Sequence, residues 1–143
     1  MTNEPYFLDA NVFMYAAGAE HPYKAPCVEI LARLEVGELQ AVINTEILQE
    51  TLYRYSRLKL PRKGIQLCRE ILAYSLAILP VNEDDTRLAI DLFAKHHQNG
   101  LEARDAIHAA VMKNNGVTKL LSVDRDFDLL DFVTRVDPLT FEA

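Results

Sequence analysis

Apolar residues fall in short blocks along the chain, separated by longer stretches in which they recur every three or four positions. Compact blocks of this kind read as buried strands, and the spaced stretches as amphipathic helices. Blocks at 5–9, 40–43, 77–81, 118–123 and 133–136 are the strand candidates. Between them, Val28, Leu31, Ala32 and Leu34 predict a helix over 24–36, and Ile47, Leu48, Thr51, Leu52 and Tyr55 one over 45–58. Ile65, Leu67, Cys68, Ile71 and Leu72 carry the pattern over 62–76, with Pro61 suited to a first helical turn.

The next helix has both ends written in its residues. Asn82 is a good N-cap, Glu83, Asp84 and Asp85 suit the positive end of the dipole, and Lys95, His96 and His97 suit the negative end before Asn99-Gly100. A further helix runs over 103–114, with Ala106, Ile107, Ala110 and Val111 on one face and Gly116 as a left-handed stop. Strands alternating with helices predict βαβ units, hence an α/β fold on a mostly parallel, five-stranded sheet. With 143 residues, no internal repeat and no Gly-, Ser- or Pro-rich linker, residues 1–143 are expected to form a single domain.

Composition narrows the class of function. Half the residues are hydrophobic and a quarter charged, which fits a soluble globular protein and excludes disordered and fibrous classes. The net charge of -6 argues against a broad basic surface for nucleic acid, yet leaves room for a nuclease whose acids a metal neutralises. Cys27 and Cys68 lie far apart without a CxxC or Cys/His cluster, so they read as reduced, partly buried thiols. The opening Met1-Thr2-Asn3-Glu4-Pro5 lacks a leader pattern and no long apolar run follows, so a cytoplasmic protein without membrane contact is expected.

The chemistry lies in four acids framed by apolar residues: Asp9, Glu50, Asp105 and Asp124. Asp9 interrupts Tyr6-Phe7-Leu8 and Val12-Phe13-Met14-Tyr15, where a charge is costly unless it is paired or holds a cation. Its plainer reading is a helix cap. Asp9 and Asp124 each follow a predicted strand, so a parallel sheet carries both at its carboxyl edge, where open α/β sheets bind ligands. Glu50 and Asp105, near helix starts, can reach that edge from the covering layers. Carboxylates brought within about 4 Å repel by roughly 4 kcal/mol per pair at an effective dielectric of 20, a conflict that a divalent cation removes. With only hard oxygen donors in the set, Mg2+ or Mn2+ is favoured, and such ions support phosphodiester hydrolysis.

Four segments then stand in order: Phe7-Leu8-Asp9-Ala10-Asn11-Val12, Asn44 to Glu50-Thr51-Leu52, Asp105-Ala106-Ile107-His108-Ala109-Ala110, and Leu121-Ser122-Val123-Asp124-Arg125-Asp126-Phe127. Together they resemble the ordered motifs of PIN domains, in particular the VapC-type ribonuclease toxins of bacterial toxin–antitoxin pairs, over nearly the whole chain. The resemblance implies a three-layer α/β/α sandwich and a metal-dependent endoribonuclease. Carried over by position, it implies that Asp9, Glu50, Asp105 and Asp124 form the catalytic metal site, with Asp126 as an auxiliary acid. Asn11 and Ser122 match its small polar positions, which implies roles in binding substrate or positioning water, with equally good readings as cap and turn residues; Asp126 is also suited to capping a helix from Phe127 to Asp131. Glu46 shares a helix face with Glu50, whose spacing from Asn44 fits better. His108 reads more readily as an ordinary helix residue, and the resemblance gives it no catalytic duty.

Tyr53-Arg54-Tyr55-Ser56-Arg57 and the bases that follow interleave cations with aromatics, which suits phosphate contact and base stacking. Arg54 and Arg57 are therefore candidate RNA contacts, and Arg104 and Arg125 adjoin candidate ligands. The resemblance further implies a homodimer and a small antitoxin protein that covers the acids. Alternatives are an RNA-processing PIN nuclease without antitoxin and a non-catalytic PIN scaffold. A phosphatase using Asp9 as nucleophile fits less well, because Asp9-Ala10-Asn11 lacks a second acid two residues on.

Overall fold

The computed structural model describes residues 4–142 of the chain. Met1 to Asn3, part of the leader reading above, and Ala143 lie outside the described residues. Five strands, β1 (Tyr6–Leu8), β2 (Ala41–Asn44), β3 (Ala77–Leu79), β4 (Lys119–Leu121) and β5 (Thr134–Val136), form one sheet in the order β3-β2-β1-β4-β5. Every neighbouring pair is parallel, where a mostly parallel sheet was expected. Six helices connect them: α1 (Ala10–Ala17), α2 (Lys24–Glu35), α3 (Thr45–Arg57), α4 (Pro61–Ala73), α5 (Glu83–His96) and α6 (Ala103–Asn114). Right-handed crossovers assign α1 to α4 to one face and α5 with α6 to the other, because the chain steps outward from β1 to β3 and then returns to β4.

That return makes the gap between β1 and β4 the switch point of the sheet. Phe7, Leu8, Leu120 and Leu121 are wholly buried there, sealing the floor beneath the carboxyl edge. Asp9 continues the ladder for one more bond, its backbone N–H donating to the Leu121 carbonyl at 3.1 Å. At the carboxyl ends of β1, β2 and β4, Asp9, Asn44 and Ser122 thus stand along one edge, Asn44 as the last residue of its strand and the other two just past theirs.

Local chemistry fixes the helices that surround this edge. Asn44 accepts the Ile47 N–H at 3.0 Å and so starts α3 directly from β2. Asn82 and Asp85 form a reciprocal capping box at the start of α5, with bonds of 2.9 and 3.0 Å. Buried Asp85 also accepts from Asn114 Nδ2 at 2.9 Å, tying the two ends of the α5–α6 hairpin together. Gly116, with φ 70, supplies the left-handed stop after α6.

Three sequence expectations shift. Helix α1 does not show in the periodicity, since its residues are apolar nearly all round; Asp9 starts it by accepting the Ala10 N–H at 2.8 Å. The buried stripe of α2 is Cys27, Ile30, Leu31 and Leu34, leaving Val28 exposed, and in α4 Ile65 and Leu72 are exposed as well. Both cysteines are buried outright, where only partial burial was expected.

Candidate active site at the carboxyl edge of the sheet

Asp9 is the hub of a buried polar network across the switch point. The Ser122 hydroxyl donates to its Oδ2 at 2.7 Å, and Asn11 Nδ2 donates to the same oxygen at 3.2 Å. Asn11 Nδ2 also reaches Ser122 Oγ at 3.2 Å, while the Val123 N–H donates to Asn11 Oδ1 at 3.4 Å. The loops after β1 and β4 are therefore stitched together by three short polar side chains. Burial raises the Asp9 carboxyl above its ordinary value, the Glu50 charge reinforces it, and the hydrogen bonds from Ser122 and the Ala10 N–H oppose it.

Glu50 comes from the middle of α3 and is buried with a partner on each oxygen. Its Oε1 lies 3.0 Å from His108 Nε2 and its Oε2 accepts from Arg54 Nε at 2.9 Å. Burial alone would raise this carboxyl, but His108 and then Arg54 outweigh it and hold the group below its usual value. On its other side, the His108 ring meets Asn44 Nδ2 through Nδ1 at 3.0 Å. Asn44 Oδ1 is committed to the Ile47 N–H, so its amide must turn a donor toward the ring. His108 Nδ1 consequently accepts, and the ring proton on Nε2 points at Glu50. The cap of α3 thereby sets the tautomer of a histidine on α6.

The second group of acids lies beside the first. Oxygens of Asp105, Asp124 and Asp126 fall within 4.8 Å of one another, as do ligand atoms of Asp9, Glu50 and His108. The two groups feel each other electrostatically. Desolvation first, then a hydrogen bond with Asp124 and the charges of Asp9, Asp124 and Glu50, push the Asp105 carboxyl up to about 10. Asp105 Oδ2 is the one fully buried side-chain polar atom without a hydrogen-bond partner among the described residues. Such an orphaned oxygen, in a crowd of acids that cannot all ionise, suits a divalent cation.

The donor set fits a hard divalent ion. Both ring nitrogens of His108 are occupied, so the ligands on offer are carboxylate oxygens from Asp9, Glu50, Asp105, Asp124 and Asp126. Asp124 also accepts the Asp126 N–H at 2.9 Å and heads the 3-10 turn Arg125–Leu129, so the cap is Asp124 and not Asp126 as the alternative reading had it. Burial raises the Asp126 carboxyl, with the Asp124 charge adding to it. Glu46 instead pairs with Arg104 at 3.0 Å and joins neither group.

Sequence reasoning passed over His108 as a functional residue. The available signal was its spacing: three residues after Asp105 in a helix puts the two side chains on one face. Arg54 sits on the pocket wall with half its side chain exposed, bonded to Glu50. Arg57 lines an adjoining cleft with Tyr53, Arg54 and Arg104, and the Arg104 guanidinium lies 5.0 Å from the Tyr53 ring centroid.

Comparison with known proteins agrees with this architecture. The sequence profile of the PIN domain matches residues 6–133. Ribonuclease VapC13 of Mycobacterium tuberculosis is 35% identical over 130 residues, which covers 90% of this chain and 97% of that protein. Ribonuclease VapC7 of the same organism is 33% identical over 132 residues, covering 92% and 90%. Among solved structures, Mycobacterium tuberculosis VapC20, described as a Sarcin-Ricin loop cleaving toxin, superposes with a TM-score of 0.76 at 19% identity, covering 90% of this chain and 96% of that one. FitAcB from Neisseria gonorrhoeae gives 0.70 at 17% identity, covering 95% and 99%. The solved structures share the fold, and identity of one third sustained over nine-tenths of the sequence goes beyond a shared fold: the chain belongs to the PIN domain family and, within it, to the VapC ribonucleases.

Proposed function

We propose that the protein is an endoribonuclease that hydrolyses RNA phosphodiester bonds with Mg2+ or Mn2+, acting as the toxin of a type II toxin–antitoxin pair. The observation that carries this reading is Asp105, buried among like charges, one oxygen unpartnered and its carboxyl driven up to about 10. Asp9, Glu50, Asp105 and Asp124, with Asp126 at the rim, would hold the cation. A divalent ion bound there would activate a water and neutralise charge on the scissile phosphate.

The chain's own residues supply the rest. Ser122 and Asn11 keep the Asp9 carboxylate aimed across the switch point, and His108 does the same for Glu50. Arg54 and Arg57, on the cleft walls in an otherwise acidic protein, are suited to the RNA backbone on either side. Asp124 at the mouth connects the buried acids with that cleft.

The partner we propose is a small antitoxin whose chain covers the acidic pocket, with a basic side chain among the carboxylates. Solved neighbours include VapBC2 from Rickettsia felis bound to a DNA fragment from its promoter, at a TM-score of 0.67. A net charge of -6 suits a basic segment of such a partner. Exposed Ile90 and Phe93 on α5 suit self-association, and we read the working form as a homodimer. No helix among the described residues is long and apolar enough to cross a membrane, and we propose that the single domain works in the cytoplasm.

Incubating purified protein with total RNA in Mg2+, Mn2+ or chelator, then mapping the new ends by sequencing, tests the reading. Defined cuts that need metal and vanish in Asp9→Asn are expected. Identical traces in all lanes would overturn it.

A further inference from the structure

The nuclease reading leaves unused an aromatic platform at the far end of the cleft that opens from the acids. Asn11, beside Asp9, and Tyr15 lie four residues apart on one face of α1, so the helix carries the line of the pocket outward to the Tyr15 ring. There His21 covers Tyr15 with ring centroids 4.7 Å apart. Tyr23 backs both, at 5.2 Å from Tyr15 and 5.8 Å from His21, the latter stacked within 14°. Tyr15 and His21 line a cleft of about 670 Å3 that also reaches Asn11 and Asp124, and His21 is exposed to solvent.

The platform sits on a connection between helices that hydrogen bonds hold in place. The Tyr23 N–H donates to His21 Nδ1 at 3.2 Å, which fixes the ring and turns Nε2 away from the backbone. The Tyr23 hydroxyl donates to Asp137 Oδ2 at 2.8 Å, and Lys24 Nζ donates to the carbonyls of Ala16 and Gly18, closing the α1–α2 turn. Arg54 and Lys63 supply positive charge to the same cleft, which the acids Glu20, Glu102 and Asp124 also line. Two aromatic rings tilted 33° to each other, the outer one exposed, share with two cations a cleft that reaches the carboxylate pocket, which matches the chemistry of one unpaired nucleotide: base on the rings, phosphate toward the cations.

We propose that Tyr15 and His21 form a stacking subsite for an unpaired nucleobase of the RNA strand whose phosphate lies at the carboxylate pocket. The proposal rests on the ribonuclease reading and adds that the substrate is single-stranded at this point, since a base kept within a duplex stack cannot be laid on the platform.

The test is the affinity of the full-length protein for a short, unstructured, fluorescein-labelled RNA, in calcium, compared with His21→Ala and His21→Phe. Stacking of one base predicts that His21→Ala weakens binding roughly 5- to 150-fold. His21→Phe, which keeps the π-face, should bind like the parent, and a strand of abasic nucleotides should bind the parent and His21→Ala alike. Equal affinity of parent and His21→Ala for the normal strand, with the parent still cutting RNA in Mg2+, would overturn the subsite alone and leave the cleft to a protein segment. A parent that neither binds nor cuts RNA would overturn the subsite and the nuclease reading together.

Discussion

His108 on α6 and Glu50 on α3 meet in a buried contact of 3.0 Å, and the direction of that bond is dictated by a third residue that touches neither the acids nor the cleft. Asn44 spends its oxygen on the Ile47 N–H and so must donate to His108, leaving the ring proton for Glu50. Truncating the ring strands Asn44 Nδ2 and one oxygen of Glu50 without partners. His108→Ala should cost about 1–3 kcal/mol in denaturant unfolding and about 10- to 100-fold in Mn2+ affinity by titration. His108→Gln, able to accept from Asn44 and donate to Glu50, should recover much of both. Unaltered metal affinity in His108→Ala would show that the ring does not hold Glu50 for the ion.

Asp105 gives the stability of the metal-free protein an unusual slope. Its folded carboxyl keeps a proton up to about 10 instead of 3.8, so between those values the folded state binds more protons than the unfolded one. The stabilising difference is therefore complete below the unfolded value and is lost as pH rises toward the folded one, by at most about 1.4 kcal/mol per pH unit. Unfolding followed by circular dichroism in chelator should show stability falling from mildly acidic to alkaline pH, with the trend flattened in Asp105→Asn. Metal binding at neutral pH should release a proton, visible as a dependence of the calorimetric heat on buffer. A stability that rises through this range would contradict the buried, protonated state.

Arg54 occupies one oxygen of Glu50 from a position half open to solvent. As a partly exposed pair it adds little to stability, about 0–1 kcal/mol. Removing it frees Glu50 for the cation while taking charge away from the cleft. Arg54→Ala should therefore bind Mn2+ more tightly and RNA more weakly, with nearly unchanged unfolding. Weaker metal binding would mean that Arg54 supports the acid instead of competing for it.

Gly64 records how closely α4 crosses α3. A Cβ there would lie 2.7 Å from the Tyr55 Cβ, an atom fixed to its own backbone. In an open helix Gly64→Ala would gain about 1 kcal/mol from propensity. Overpacking against a rigid atom costs about 1–3 kcal/mol and should win. A lower denaturant midpoint is expected; a higher one would mean the helix pair has slack.

Much of this was legible in the sequence because strands and helices here obey simple rules. Five apolar blocks became the five strands, and Asn82, Asp85 and Gly116 mark ends that the residues themselves encode. Helix α1 was illegible because Ala10 to Ala17 is buried or half-buried throughout, which erases the period on which recognition depends. Exposure of Val28, Ile65 and Leu72 was equally hidden, since periodicity names an apolar stripe without saying where the neighbouring helix stops covering it.

The acids stood out as charges among apolar residues, and their common edge followed from strand ends. His108 did not stand out: its role depends on Asn44 and Glu50, brought to it by the packing of α3 against α6. The platform of Tyr15, His21 and Tyr23 was hidden for the same reason, as rings on either side of a turn reveal no contact until the turn is closed by Lys24.

The most direct test of the central claim is the RNA cleavage rate of Asp105→Asn beside the parent at saturating Mg2+, with folding checked on the same sample. The amide is neutral without having to take up a proton, so the variant should be at least as stable without metal, yet its cleavage should fall by at least about 100-fold because a cation ligand is gone. Cleavage at the parent rate by folded Asp105→Asn would contradict the assignment of the carboxylate pocket as the ribonuclease site.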